Sequence, residues 1–308
     1  MGFTEARVIE LLAEVFGRHD PRVYIGIGDD AALVQGSTQQ ILTTDIAVEG
    51  THFRPEWSSG YEIGARVAAA NIADVMSMNG ETQYLLVAAT LTGQEDLDWI
   101  RSLAQGIADE AAKVGAVVVG GDLARSTTLS IAITAVGRTE KPIRRGGASI
   151  GESIYLSSLT GWSAAGLEIL TSGRSYENPL AELAVKEFRT PTLDIDTDFA
   201  DASSMSDVSD SILIQGVQMA DASGLRFQFD LELLSQSDEF KELRDLAELV
   251  GGNLLNWIFQ GGEDHALLAT GSNLPGICIG RVVEGSGVAI KDKDGEIKMA
   301  PVSWSHFG

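Results

Sequence analysis

Apolar positions at Val8, Leu11, Leu12 and Val15 recur at helical spacing and predict an opening amphipathic helix. QQILTTDIAVEG, residues 39–50, predicts a strand that runs into an acidic turn. YEIGARVAAANIADVMSMNG, residues 61–80, places small and apolar residues at helical spacing and stops on Gly80. TQYLLVAATL, 82–91, predicts a buried strand, and 95–114 another helix. GAVVVGGD, 115–122, is a short apolar strand ending on Gly120, Gly121 and Asp122, and TLSIAITAVGR, 128–138, alternates as a strand does. The two apolar strands of this half read as buried on both faces. EKPIRRGGASIGES, 140–153, combines charge, proline, glycines and a basic pair, and divides the chain into domains of 1–140 and 141–308. The second half predicts a strand in SIYLSSL, helices near 162–171, 179–189 and 206–221, and a strand in LRFQFD. Alternating strands and helices predict an α/β or α+β fold class.

Composition narrows the chemistry. Acidic residues outnumber basic ones 44 to 22 in 308 residues, a net charge of −22. That balance argues against nucleic acid and anionic membranes as partners, because phosphate binding needs Lys and Arg to displace counterions. It suits divalent cations, although solubility alone also explains it. The one cysteine, Cys278 in GICIG, reads as a buried thiol. The start has neither a basic nor an apolar leader segment, and no run approaches a membrane span, so a cytoplasmic protein is expected.

No G-x-x-x-x-G-K-[ST] loop and no G-x-G-x-x-G opening a helix occurs, and His19, His52, His265 and His306 lack zinc-ligand spacing. The unusual feature is a set of aspartates beside small residues: Asp29 and Asp30 in GIGDDAALV, Asp45, Asp74, Asp122, and Asp207 and Asp210 in SDVSD. Taken singly, each has a structural reading: Asp30 and Asp45 as turn caps, and Asp74 as a mid-helix residue flanked by apolar ones. Taken together they suggest a cage of oxygen donors for Mg²⁺ bridging to phosphate, and hence an enzyme acting on a nucleotide or phosphate ester.

IGDDAALV, LTTDIAVEGTHF, AAANIADVMSMNG, VVGGDLARS, RRGGASIGESIYLSS and GGEDHALL, taken in order, resemble thiamine-monophosphate kinase. That family belongs to the superfamily of aminoimidazole ribonucleotide synthetase and selenophosphate synthetase. The resemblance implies a two-domain PurM-like fold. An N-terminal domain binds ATP and Mg²⁺ and forms a shared β-barrel in a homodimer, and the C-terminal domain is α+β. It implies direct transfer of the γ-phosphoryl group of ATP to thiamine phosphate, with Mg²⁺, giving thiamine diphosphate. It places Asp30, Thr43, Thr44, Asp45, Asp74, Asp122, Asp207 and Asp210 at metal positions. Gly121, Asp122, Arg145 and Ser209 fall on nucleotide positions, and His52, Glu263 and Trp304 on thiamine phosphate positions. Asp29 then shapes the turn beside Asp30.

Two departures stand out. Ser211 replaces the family's usual glycine after SDVSD, and IGES, with Ile150 and Glu152, replaces PGD. They motivate one alternative, a non-catalytic binder of ATP or thiamine phosphate. A sister ATP-dependent synthetase is the other, but no cysteine or lysine precedes Asp29 as selenophosphate synthetase would have.

Overall fold

A computed structural model describes residues 4–17, 19–27 and 31–299. Asp29, Asp30 and Trp304 lie outside the described residues. The chain divides into two compact units, Met1–Pro142 and Ile143–Gly308.

The first unit runs α1 (Glu5–Phe16), β1 (Val23–Ile25), β2 (Leu33–Val34), β3 (Gln40–Val48), α2 (Gly60–Met76), β4 (Glu81–Leu91), α3 (Leu97–Lys113), β5 (Val117–Arg125) and β6 (Ser130–Arg138). β1 and β2 form a small separate pair, and the main sheet has the order β3-β6-β4-β5. β4 and β5 are parallel because α3 crosses between them, while β6 runs antiparallel to both of its neighbours. Ser59 and Glu62 form a capping box that starts α2, and Asp96 caps α3. The two helices approach closely. A Cβ on Gly64 would lie 2.1 Å from the Leu103 carbonyl oxygen, and one on Gly106 would lie 2.0 Å from that of Tyr61.

Along β6, Ile131, Ile133 and Ala135 are fully buried in the core shared with the helices, and the intervening residues are half-buried. Strand alternation puts Leu42 and Ile46 of β3 on the same side as those intervening residues, and both are exposed. Within a single chain these apolar strands are buried on one face. Helices cover one face and leave the other open.

The second unit runs β7 (Ser153–Leu156), α4 (Trp162–Ser172), α5 (Pro179–Arg189), β8 (Ser204–Asp207), α6 (Ile212–Ser223), β9 (Arg226–Asp230), α7 (Leu231–Leu234), α8 (Asp238–Val250), α9 (Leu254–Gln260), β10 (Leu267–Gly271), β11 (Ile277–Val283), β12 (Gly287–Asp292) and β13 (Gly295–Ile297). Its sheet has the order β13-β12-β9-β11-β7-β10-β8, with β9 and β12 as the parallel pair. Phe227, Phe229, Phe259, Leu268 and Val282 fill its core. The helix expected near 206–221 is corrected: Ser204–Asp207 is a strand paired with β10, and the helix begins at Ile212. Cys278 is half-buried on β11 rather than sealed in the core.

Candidate functional site

In the first unit the candidate oxygen donors gather where β3 meets α2. Alternation sends Thr43 and Asp45 to the helix side of β3, with the buried Ile41 and Ala47. There the Thr43 hydroxyl donates to Asp74 Oδ2 at 2.5 Å. The Asp45 N–H donates at 3.1 Å to the Oδ1 of the fully buried Asn71, whose Nδ2 donates to the Val67 carbonyl. Asn71 and Asp74 are one helical turn apart, and Asp45 and Thr43 are two residues apart on the strand, so one helix face clamps both. Asp45 is exposed, and Thr43 and Asp74 are half-buried.

Among the described residues, the fold does not bring the other two first-unit metal candidates, Thr44 and Asp122, to that group. The Thr44 side chain points to the open face, donating to the Ile133 carbonyl at 3.0 Å and accepting from the Thr134 hydroxyl at 3.2 Å. Asp122 lies in register with Ala88, which pairs with Ala132, which pairs with Ile46. It therefore stands on the open face as well, on β5, three strands from β3. Gly121 has a packing reason to be glycine, because a Cβ there would lie 1.8 Å from the Val87 carbonyl oxygen. His52 sits in the loop after β3, and its Nδ1 accepts from the Val48 N–H at 3.1 Å. The proton of its neutral ring is thereby assigned to Nε2, which leaves that nitrogen as a donor.

The second unit gathers its candidates around the end of β8 and the start of α6. Asp207 ends β8 and is 2% exposed, with Oδ2 3.4 Å from the Nδ1 of buried His265. Gln215 Nε2 reaches the Ser209 hydroxyl at 3.3 Å and Asp210 Oδ2 at 3.4 Å. The Glu263 N–H donates to the Ser209 carbonyl at 2.7 Å. Arg145 is exposed and its Nε donates to the Ser206 hydroxyl at 3.3 Å, while the preceding Arg144 carbonyl accepts from the Met205 N–H. Arg145, Asp207, Ser209, Asp210 and Glu263 are thus neighbours within this unit.

Both departures have local explanations. Ser211 is fully buried and is the N-cap of α6: its hydroxyl accepts from the Ile214 N–H at 3.2 Å, and its own N–H donates to Gln215 Oε1. Glu152 staples a loop, accepting from the Ser149 N–H at 3.0 Å and the Ser203 hydroxyl at 2.6 Å.

Sequence reasoning missed Asn71, Gln215 and His265, which touch these groups, and Asp264, which bonds the start of α4. Asp264 is the most perturbed of them. Burial pushes its carboxyl up to about 6, against two backbone N–H bonds that favour the ion. Its neighbours in GGEDHALL were the available signal.

Both groups use oxygen donors alone, which suits a hard cation. Among the described residues no three His, Cys, Asp or Glu side chains are grouped so as to hold a metal themselves. A cation here would complete its shell with water and phosphate oxygens, the usual habit of Mg²⁺. A cavity of about 400 Å³ opens beside the His52 loop, lined in part by Glu49, Pro55, Glu95, Asp96 and Trp99. No predicted site residue lines it. Glu95 braces the Thr92–Gly93 turn and Asp96 caps α3.

Residues 28–139 match the family model described as AIR synthase related protein, N-terminal domain. The thiamine-monophosphate kinase of Aquifex aeolicus is 30% identical over 293 residues, spanning 91% of this chain and 92% of that protein. The thiamine-monophosphate kinase of Mycobacterium tuberculosis is 32% identical, spanning 99% of this chain and 95% of that one. Among solved structures, AaThiL complexed with AMPPCP and TMP superposes with a TM-score of 0.79 at 29% identity, covering 98% of this chain and 97% of that one.

Proposed function

This chain belongs to the thiamine-monophosphate kinase family, and on that premise we propose how its residues carry out the reaction. The enzyme phosphorylates thiamine phosphate with ATP, giving ADP and thiamine diphosphate. The near-complete match to named kinases, and to a relative complexed with AMPPCP and TMP, carries this reading.

The acceptor is a phosphate oxygen, already ionised at neutral pH, so no general base is required. The difficulty is to bring two anionic phosphates together and in line. Thr43, Asp45 and Asp74 are proposed as one cation-holding group, and Asp210 with Asp207 beneath it as the other. Asp30, Thr44 and Asp122 complete the proposed metal positions. Bound Mg²⁺ would supply charge neutralisation between donor and acceptor. Within the second unit, Arg145 with its exposed guanidinium and Ser209 are proposed as nucleotide residues, and within the first unit Gly121 and Asp122 are. His52 presents a donor to the acceptor phosphate, and Glu263 and Trp304 hold the thiamine portion. Stacking on the Trp304 indole would contribute on the order of 1 kcal/mol.

The sequence-defined domain 1–140 is assigned ATP and Mg²⁺ binding and dimerisation, and 141–308 is the C-terminal α+β domain. The open face of the sheet supports a homodimer, since Leu42, Ile46 and Leu86 are exposed and a second copy could close both sheets into one barrel. Net charge of −22 opposes that association, so the contact must be mainly apolar and should survive high salt. Among the described residues no helix is long and apolar enough to cross a membrane, and the need for ATP fits a cytoplasmic enzyme. With Ser211 and Glu152 accounted for as a cap and a staple, no observation favours the non-catalytic reading.

Purified protein incubated with ATP, Mg²⁺ and thiamine phosphate should yield thiamine diphosphate, resolved by chromatography. ADP formed only with a different acceptor would overturn the assignment.

A further inference from the structure

Segment 261–266 joins α9 to β10 and carries Glu263. Its shape is unusual. Glu263 at φ 67° and His265 at φ 54° both occupy the left-handed region, which residues with side chains adopt only when their surroundings enforce it. Backbone bonds hold these two residues to the turn between β8 and α6: the Glu263 N–H donates to Ser209 O at 2.7 Å, and the His265 N–H donates to Val208 O at 3.1 Å. Gly262 lies so close to that turn that a Cβ would be 2.4 Å from the carbonyl oxygens of Ser209 and Asp210.

Between the two strained residues, Asp264 reaches a different element. Its Oδ2 accepts from the Gly161 N–H at 2.8 Å, and its Oδ1 accepts from the Ser163 N–H at 2.9 Å. Gly161 is the N-cap of α4 at φ 109° and has no side chain with which to cap it. Asp264 supplies that cap from 103 residues away. The residue as a whole is half-buried, but its carboxyl is enclosed, and burial there opposes the ionised form. A charge kept in such a place needs a reason beyond stability. The reason is geometric. Two oxygens gripping two N–H groups fix the orientation of residue 264, and with it the backbone on either side.

We propose that Asp264 is a positioning residue for the phosphate acceptor: by gripping the start of α4 it holds Glu263 in its left-handed conformation and aims the Glu263 carboxylate at thiamine phosphate. The Glu263 side chain is 43% exposed and so reachable by a ligand. This inference rests on the assignment of Glu263 to the acceptor. A residue that merely caps α4 would, when altered, lower stability and leave the balance between the two ligands unchanged.

Titration calorimetry on the full chain separates the cases. It should measure thiamine phosphate alone and AMPPCP with Mg²⁺ alone, for wild type, Glu263→Ala, Asp264→Asn and Asp264→Glu, with thermal midpoints alongside. Glu263→Ala and Asp264→Asn should each weaken thiamine phosphate by about tenfold or more, the scale for residues that orient a ligand-contacting group. AMPPCP affinity should stay within about twofold, even where loss of one cap hydrogen bond lowers the thermal midpoint. Asp264→Glu keeps the charge and adds one methylene, so it should fold and still bind thiamine phosphate more weakly. If Glu263→Ala weakens thiamine phosphate while either folded Asp264 variant binds it normally, the positioning role is overturned. Equal weakening of both ligands with a lowered midpoint overturns it in favour of a simple cap. An unaffected Glu263→Ala removes the acceptor assignment itself, and the positioning role with it.

Discussion

In the first unit the sheet is covered on one face only. Ile131 and Ile133 are fully buried, whereas Leu42 and Ile46, on the opposite face, are 67% and 57% exposed. In the second unit β10 is buried from Leu267 to Gly271, on both faces of the sheet. The carboxylates follow the same division. Asp45 lies exposed at the edge strand of the first sheet, while Asp264 is enclosed against the start of α4. Apolar surface left in water costs a lone chain stability, which fits the binding role proposed for the first unit. The second unit carries its own structure and uses buried polar groups to aim exposed ones.

The largest expected contrast is in stability. Leu268→Ala should cost about 2–5 kcal/mol in denaturant unfolding, because it opens a cavity in a closed core. Ile46→Ala should cost under about 0.5 kcal/mol in dilute protein, with any larger loss appearing only as protein concentration rises. A concentration-independent loss as large as that of Leu268→Ala would show that the face is covered within one chain.

Asp45→Asn should reverse the ranking when activity is measured. Loss of a proposed cation ligand should lower kcat/KM by about 100-fold or more, with the requirement for Mg²⁺ shifted to higher concentration. Asp122→Asn should act in the same direction. Thermal stability of the metal-free protein should hold or rise in both variants, since each removes a charge needed only when cation and phosphate are bound. Normal turnover with a large loss of stability would make these aspartates structural.

A third contrast concerns pH. Burial raises Asp264 from 3.8 to about 6, so the folded chain holds this proton more tightly than the unfolded chain. The stability it contributes is complete below pH 3.8 and is lost as pH rises through 6, above which the enclosed charge weighs against folding by a few kcal/mol in order of magnitude. The midpoint difference between Asp264→Asn and wild type should therefore be most favourable to the variant at pH 8 and shrink toward pH 4. A difference independent of pH would mean that the carboxyl is not enclosed as described.

The smallest effect belongs to Ser211→Gly, which restores the family's residue. It should cost a few tenths of a kcal/mol as an N-cap change and leave kcat within about twofold. A large rise in kcat would show that Ser211 obstructs the site.

Much of the first unit was legible because its elements carry strong periodicity, as in the alternating isoleucines of β6. β8 was not legible. Its residues are Ser204, Met205, Ser206 and Asp207, all buried, and their polar atoms find partners such as Thr270, so apolar alternation never appears. The motifs supplied residue types for the site but not directions. Neighbours Thr43 and Thr44 point to opposite faces, and Asp122 stands three strands from Asp45 on the other face. The holding residues were invisible for a different reason. Asp264 and Gly161, or Asn71 and Asp45, meet only after folding, across separations that no local pattern records.

The reaction itself can be followed with ATP labelled in its γ-phosphate, supplied with Mg²⁺ and thiamine phosphate. Direct transfer predicts label in the terminal phosphate of thiamine diphosphate, in step with ADP and with little label in inorganic phosphate. Label released only as inorganic phosphate, with thiamine phosphate unchanged, would contradict it.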